Sequence, residues 1–167
     1  MWDSASLSLP IPGWLADLAE AVAGQRFVAS GASEPVAGAR LLAFRERFGG
    51  DPGSDFYTRW AKWFFADRST RTISPNSPVT LPDYVQRRID ENTFESLDDA
   101  VRLDPTNGLA LARLALQVLK QDPARNPRQA GEADWLSRRA LALAPADDEV
   151  VRTRRAVLNF TNQAAQP

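Results

Sequence analysis

Carboxylates are the residues of this chain whose type and spacing come nearest to acid–base chemistry. They form three clusters, which are Asp90-Glu91, Asp98-Asp99 and Asp147-Asp148-Glu149. Neighbouring side chains on a helix do not face each other, so no cluster predicts an acid and a base aimed at one substrate. Each cluster also falls at a predicted helix end or on a predicted solvated face. We therefore interpret all three as structural.

Histidine and cysteine are both absent from the chain. Their absence removes the commonest general base, the imidazole and thiolate metal ligands and any disulfide. A hydroxyl nucleophile would need Lys62, Lys120 or a carboxylate as its base, and the sequence offers no such arrangement. No glycine-rich loop precedes a helix at phosphate-binding spacing. We predict that the protein is not an enzyme and holds no metal or cofactor.

Arginines are the remaining candidates for specific chemistry, and they occur in groups. The groups are Arg87-Arg88, Arg138-Arg139 and Arg152, Arg154 and Arg155. If helices stack, these side chains form a basic strip that binds an acidic peptide or a phosphate. The alternative, which the sequence favours, is a solvated face balanced by nearby acids.

Composition narrows the class of protein. The chain has 167 residues, 44% hydrophobic and 25% charged, with a formal net charge of −1. These values are typical of one soluble globular domain and predict no attraction to nucleic acid or to an anionic membrane. No apolar run approaches the roughly 20 residues that span a bilayer, and the N-terminus does not resemble a signal peptide. We expect a cytoplasmic protein.

Helical periodicity and helix-ending residues predict an all-α chain of about seven helices, with no strand after residue 13. Gly24 ends the first helix, which begins at Trp14, and Ser33 is predicted to cap the second. A third helix over 54–67 carries six aromatic rings and is interpreted as the buried centre of the domain. The predicted fourth helix runs over 80–103, with Asn92-Thr93 as its weakest point. The last three cover 108–120, 129–143 and 148–161.

A six-residue sequence motif that occurs twice predicts how these helices are arranged. Residues 100–105, Ala-Val-Arg-Leu-Asp-Pro, return as residues 140–145, Ala-Leu-Ala-Leu-Ala-Pro, so Pro105 and Pro145 are 40 residues apart. Each copy ends a predicted helix and precedes another. A period of this size is typical of helical hairpins, in which one unit buries its apolar face only against its neighbour.

The spacing resembles that of the tetratricopeptide repeat, a family of stacked helical hairpins. After Pro105 the family's large, large, small and large positions hold Leu111, Leu114, Ala115 and Val118, and the second copy matches at Ala133, Ala140 and Pro145. The tetratricopeptide repeat has a period of about 34 residues, and a loop over 121–128 accounts for the longer period of this chain. In the last helix Arg154 and Arg155 replace the pattern, as expected of a capping helix whose outer face meets water.

The resemblance implies a domain map for the chain. Residues 1–13 are expected to be a linker or the end of a preceding domain, and 14–161 a single tetratricopeptide-like domain. Within it we expect four parts, followed by a tail at 162–167. The parts are an N-terminal helical pair (14–50), a first expanded hairpin (54–107), a second hairpin (108–147) and a capping helix (148–161).

A second resemblance concerns the N-terminus. Trp2-Asp3 looks like the dipeptide that ends the third strand of a WD40 propeller blade. The sequence that follows resembles the C-terminal region of large bacterial WD40-repeat proteins, some of which carry a serine/threonine kinase domain. The segments that carry this resemblance include Trp14-Leu15-Ala16-Asp17-Leu18-Ala19 and Tyr84-Val85-Gln86-Arg87-Arg88-Ile89. This resemblance implies that the chain is the C-terminal part of a longer protein.

The functional expectation is a non-catalytic scaffold that binds a protein or peptide partner. The polar contacts are expected from Arg87, Arg88, Arg113 and Arg138, and an apolar groove from Leu109, Ala112 and Leu116. That groove either grips an apolar segment or is filled by the N-terminal helices, which is the favoured interpretation. The alternative function is a structural cap or dimerisation domain that packs on a preceding propeller and has no separate ligand.

Overall fold

The structure, a computed structural model, describes residues 10–121 and 127–164. Those ranges contain eight helices and one two-stranded sheet, so the mostly helical class predicted from the sequence is confirmed. None of the described helices is long and apolar enough to cross a membrane. In place of the single domain predicted over 14–161, the chain divides between Thr80 and Leu81 into two compact units, here called the N-terminal and the C-terminal unit.

The N-terminal unit contains three helices and the sheet. In chain order these are α1 (Trp14–Ala23), β1 (Gln25–Phe27), β2 (Ser33–Pro35), α2 (Ala39–Gly50) and α3 (Phe56–Phe65). α1 has the predicted bounds and ends at Gly24, whose φ of 68° is left-handed and suits glycine. α3 begins at Asp55, whose carboxylate accepts hydrogen bonds from the backbone amides of Tyr57 and Thr58.

The small sheet corrects the prediction that no strand follows residue 13. β1 and β2 pair antiparallel, with Arg26 opposite Glu34 and joined to it by an ion pair of 3.0 Å. Ser33 was predicted to cap a helix, but it lies in β2 and its hydroxyl donates to the side chain of Gln25. A residue that precedes proline avoids the helical region, so Glu34-Pro35 favours an extended backbone. α2 consequently begins at Ala39.

The core of the N-terminal unit centres on Phe48. This side chain is 1% exposed, and its ring lies 4.6 Å from that of Trp14 and 6.4 Å from that of Phe65. The six rings of α3 are all only half-buried, whereas its fully buried side chains are the small Thr58 and Ala61. The interpretation of α3 as a ring-filled buried centre is therefore corrected, because Ala61 is the residue of α3 that is fully buried in this core, and Trp60 and Phe65 pack against it half-buried.

The C-terminal unit contains the other five helices. They are α4 (Leu81–Glu91), α5 (Phe94–Leu103), α6 (Gly108–Gln121), α7 (Pro127–Leu143) and α8 (Asp148–Ala164). The single helix predicted over 80–103 is two helices, divided at its predicted weakest point. Asn92 takes a left-handed φ of 52°, and the hydroxyl of Thr93 accepts the backbone amide of Ser96 to begin α5.

The apolar core of the C-terminal unit is continuous and surrounds α6. This helix packs against α4, α5, α7 and α8. The fully buried side chains come from all five helices and include Ile89, Leu97, Leu111, Ala140 and Val157. One shared apolar core therefore holds the five helices of this unit together.

The 40-residue repeat is matched by the backbone hydrogen bonds of the C-terminal unit. Both Ala100 and Ala140 are 0% exposed, and each lies in the last turn before a proline-containing loop. Three backbone hydrogen bonds occur in both copies. In the first copy they run from Asp104 N to Ala100 O, from Asn107 N to Asp104 O and from Leu111 N to Asn107 O. In the second copy they run from Ala144 N to Ala140 O, from Asp147 N to Ala144 O and from Val151 N to Asp147 O. The two sequence copies therefore build the same helix–loop–helix junction.

The predicted domain map agrees with these elements only in part. The hairpin predicted over 54–107 spans the division between the two units, whereas the one over 108–147 corresponds to α6 and α7. The capping helix predicted over 148–161 continues as α8 to Ala164, into the predicted tail. Residues 1–9, with Trp2-Asp3, and most of the predicted loop at 121–128 lie outside the described residues.

Candidate functional site

Arg113, one of the predicted partner-binding residues, joins three helices of the C-terminal unit. Its guanidinium donates to both carboxylate oxygens of Glu149 at the start of α8, at 2.7 and 3.1 Å. It also donates to the backbone oxygen of Ile89 in the last turn of α4, at 3.0 Å. Carbonyls at a helix end lack a donor within their own helix, so Arg113 satisfies one of them. Arg113 is therefore engaged within the fold, and its predicted contact with a partner stays a prediction.

The charges of this pair stabilise each other. The hydrogen bond from Arg113 holds the pKa of Glu149 below its ordinary value, against the opposing effect of burial. The same bond to Glu149 raises the pKa of Arg113. A two-pronged bond from a guanidinium to a carboxylate is among the stronger polar contacts in proteins. It fixes α8 on α6, and through Ile89 it also fixes α4.

Of the predicted partner-binding residues Arg87 and Arg88, one is exposed to solvent and the other is paired within the fold. Arg88 donates to Asp99 at 2.8 Å and also pairs with Glu91, so it ties α4 to α5 and is engaged within the fold. Arg87, beside it, is exposed and forms no hydrogen bond or ion pair with the described residues. Of the two, only Arg87 is available for the predicted contact with a partner.

The predicted apolar groove along α6 is closed. Ala112 is 0% exposed and belongs to the core of the C-terminal unit, while Leu109 packs against that core and Leu116 is half-buried. The groove was predicted because these side chains share one face of α6. The structure corrects this because α6 packs against four other helices, and Ala112, in the middle of that face, is buried in their shared core.

Arg154 also departs from the prediction. It was expected on the solvated face of a capping helix, but only 14% of its side chain is exposed. Its guanidinium donates to the Asp134 carboxylate at 2.6 Å and to the hydroxyl of the fully buried Ser137 at 3.0 Å. The bond from Arg154 is the largest cause that holds the pKa of Asp134 below its ordinary value. Arg154 therefore fastens α8 to α7.

The far side of α7 forms a continuous exposed strip, here called the outer face of α7. The fully buried residues of α7 lie on one side of the helix, and its exposed residues lie within an arc on the opposite side. The outer face consists of Arg128, Gly131, Glu132, Trp135, Arg138, Arg139, Ala142 and Leu143.

Trp135 stands at the centre of this face and is 56% exposed. Arg139, one turn later, holds its guanidinium carbon 5.4 Å from the centre of the indole ring and donates to the backbone oxygen of Pro105 at 3.2 Å. Gly131, one turn earlier, has no neighbour within 4 Å of where a Cβ would stand. The ring therefore has a cation against it from the turn that follows, and the turn that precedes it leaves open space at Gly131.

Arg138, another predicted partner-binding residue, lies on the same face. Its side chain is 70% exposed, and it pairs with Asp134 one turn earlier. Trp135 was not among the predicted binding residues, and Arg139 was named only as part of the Arg138-Arg139 group. The spacing of Ala133, Leu136 and Ala140 was the available signal, because a core-facing side at those positions places Trp135 opposite.

Groups suited to metal binding are lacking in the part of the chain that the structure describes. No cluster of three or more acidic, histidine or cysteine side chains there has the arrangement to hold an ion.

Comparison of the chain with protein-family models, with curated proteins and with solved structures finds no match.

Proposed function

We propose that this chain is a non-catalytic protein-binding module, a tetratricopeptide-like stack of helical hairpins that presents the outer face of α7 to a partner protein. The observation that carries the proposal is Trp135, a large ring more than half exposed at the centre of a strip that also carries three arginines and a glutamate. Tryptophan and arginine are the residues most enriched among those that dominate binding energy at protein interfaces. The outer face of α7 places one tryptophan and two arginines on adjacent turns, at Trp135, Arg138 and Arg139.

The chemistry of the face favours a partner segment with an apolar anchor and acidic neighbours. The exposed charged residues of α7 are Arg128, Arg138 and Arg139 against Glu132. An apolar side chain placed against the open side of the indole, next to Gly131, would bury much of the ring, and carboxylates beside it would meet the guanidinium groups. Like-signed partners would be repelled, so the arrangement also supplies specificity.

The surface is held in position before any partner arrives. Arg154 fixes α7 to α8 through Asp134 and Ser137, and Arg139 reaches the Pro105 backbone in the loop before α6. A face built on one helix and fixed to its neighbours loses little conformational freedom on binding, and that lowers the free-energy cost of association.

The proposal is tested by selecting peptides from a random displayed library against the full chain, with removal of those that also bind a Trp135→Ala variant. We expect the selected peptides to carry an apolar residue flanked by Asp or Glu. Trp135→Ala should weaken their binding by about 30-fold or more, the loss typical of a dominant interface residue. Arg138→Gln and Arg139→Gln should each weaken it by about three- to tenfold.

Phe27→Ala is the matched control, because Phe27 is an aromatic residue 82% exposed on β1 in the other unit. It should leave peptide binding unchanged. Selection of no peptide that distinguishes the wild-type chain from Trp135→Ala would contradict the proposal. A mass that rises with concentration, and no longer does so in Trp135→Ala, would instead assign the face to dimerisation, the alternative function.

A further inference from the structure

A cleft lies within the N-terminal unit, between α2 and α3, and shares no residue with the outer face of α7. Its volume is about 380 Å³, which is in the lower part of the range for small-molecule sites. Two cations, two aromatic rings and two small residues line it, namely Arg45, Phe48, Gly49, Lys62, Phe65 and Ala66.

The two helices contribute these residues in the same order. α2 provides a cation, a phenylalanine three residues later and a small residue one further, at Arg45, Phe48 and Gly49. α3 repeats the order at Lys62 and Phe65, with Ala66 directly after its last residue. Because positions three and four apart share a helix face, each helix turns one cation and one ring into the cleft. Phe48 and Phe65 lie nearly parallel, with ring centres 6.4 Å apart and planes inclined by 18°.

Neither cation is neutralised by an ion pair with the described residues. Arg45 forms no hydrogen bond or ion pair there, and Lys62 donates only to the backbone oxygen of Gly53, at 2.8 Å. An ammonium group has three donors, so Lys62 keeps two. Asp67 feels the charge of Arg45, which helps lower its pKa after the larger effect of hydrogen bonds from Ser69, but its carboxylate is bound to Ser69 rather than to Arg45.

We propose that this cleft binds a phosphate monoester that carries a flat apolar group. The phosphate lies between Arg45 and Lys62, and the apolar group packs on the half-buried ring of Phe65, which lies beside the buried ring of Phe48. Two cations suit a group that carries between one and two negative charges at neutral pH. Gly49 leaves space for the ligand in the cleft, because no atom lies within 4 Å of where its Cβ would stand.

The test is an NMR titration of the ¹⁵N-labelled full chain with phenyl phosphate. We expect saturable shifts of the Gly49 and Ala66 amide resonances. Inorganic phosphate, which lacks the ring, and benzyl alcohol, which lacks the charge, should each bind at least about tenfold more weakly. A short phosphotyrosine peptide titrated in the same way separates the two sources of this chemistry. Tighter binding than phenyl phosphate indicates a protein ligand, and equal binding indicates a free ester.

Matched variants separate the cleft from general effects. Gly49→Leu fills the cleft and should abolish the saturable shifts, whereas Gly50→Leu, at the neighbouring exposed glycine that does not line it, should preserve them. Arg45→Gln and Lys62→Gln should each raise the Kd about tenfold, and Arg59→Gln, at an exposed arginine of α3 that does not line the cleft, should not.

Thermal unfolding of every variant identifies any loss that comes from misfolding. Two independent positions supply charge, so Arg45→Gln still tests the proposal if Lys62→Gln does not fold. Absence of saturable shifts would overturn the proposal, as would equal affinity for benzyl alcohol or full binding by folded Gly49→Leu.

Discussion

The backbone oxygens of Ala100 and Ala140, which lie 40 residues apart, accept equivalent hydrogen bonds at the ends of their helices. Ala100 accepts from the amide of Asp104 at 2.8 Å, and Ala140 accepts from that of Ala144 at 2.9 Å. Both alanines are 0% exposed. A larger side chain at either position would displace the next hairpin, which is the physical reason that a small residue occurs in both copies of the repeat.

The capping residues of this repeated junction should stabilise it to a similar extent. Asn107 accepts the backbone amide of Ala110, and Asp147 accepts that of Val150, each at 3.0 Å. Asn107→Ala and Asp147→Ala should each lower the free energy of unfolding by about 1 kcal/mol, because each leaves a helix N-terminus without its acceptor. Urea denaturation measures the change. Asn159→Ala, at an exposed position within α8, is the control and should cause no loss.

Two helical glycines should respond in opposite directions to the same substitution. At Gly108 a Cβ would stand 2.7 Å from the Cβ of Ala144 and 3.2 Å from the backbone oxygen of Ala140, where α6 approaches the end of α7. Gly108→Ala should therefore cost about 1–3 kcal/mol. At Gly49 the space is open, so Gly49→Ala should gain about 0.5–1 kcal/mol by reducing the freedom of the unfolded chain. Thermal and urea unfolding of both variants tests the contrast, which equal effects would refute.

Two carboxylates should make the C-terminal unit sensitive to acid. Asp134 and Glu149 have pKa values lowered below 3.8 and 4.5 by their bonds to Arg154 and Arg113. A depressed pKa means that the unfolded state binds more protons, so the stabilisation is complete above the ordinary pKa and is lost as the pH falls through the folded value. The free energy of unfolding should thus decline below about pH 4.5.

The double variant Asp134→Asn, Glu149→Gln isolates that dependence. It should cost about 1–2 kcal/mol at pH 7, a modest value because both pairs are partly solvated, and should flatten the decline in acid. Glu95→Gln, at an exposed glutamate in α5, serves as the control and should leave the pH profile unchanged. An unaltered acid slope in the double variant would show that other groups determine it.

The two units should be separable. A fragment of residues 81–167 should fold cooperatively on its own because a continuous apolar core lies within it. A fragment of residues 93–167, which omits α4, should not, since Leu81, Val85 and Ile89 of that helix belong to the core. Circular dichroism during thermal unfolding distinguishes the two fragments. Cooperative unfolding of the shorter fragment would show that α4 is dispensable.

Most helix positions were predictable because their ends carry local signals. Gly24 ends α1, Pro105 and Pro145 follow α5 and α7, and the weak point at Asn92 became a break. The sheet of the N-terminal unit was not predicted, since three-residue strands with entirely exposed side chains have no alternating apolar pattern. Their pairing depends on partners several residues away, such as Arg26 with Glu34.

The candidate sites were less predictable than the helices. Arg88, Arg113 and Arg154 look alike in the sequence as basic residues on helices, and only their neighbours in space show that each is paired within the fold. Trp135 was missed for a related reason. A tryptophan is most often assigned to the core, and only the complete packing of α7 shows that its ring faces outward.

By itself the sequence determined the helical class, most helix boundaries and the 40-residue repeat, because each depends on residues within one or two turns or on the return of a short phrase. Tertiary structure decided the rest. It divided the chain at Thr80, closed the groove at Ala112 and paired Arg113 with Glu149, which lies 36 residues away. It also brought Arg45 and Lys62 to one cleft. These outcomes depend on how helices pack against each other, and no local pattern encodes that packing.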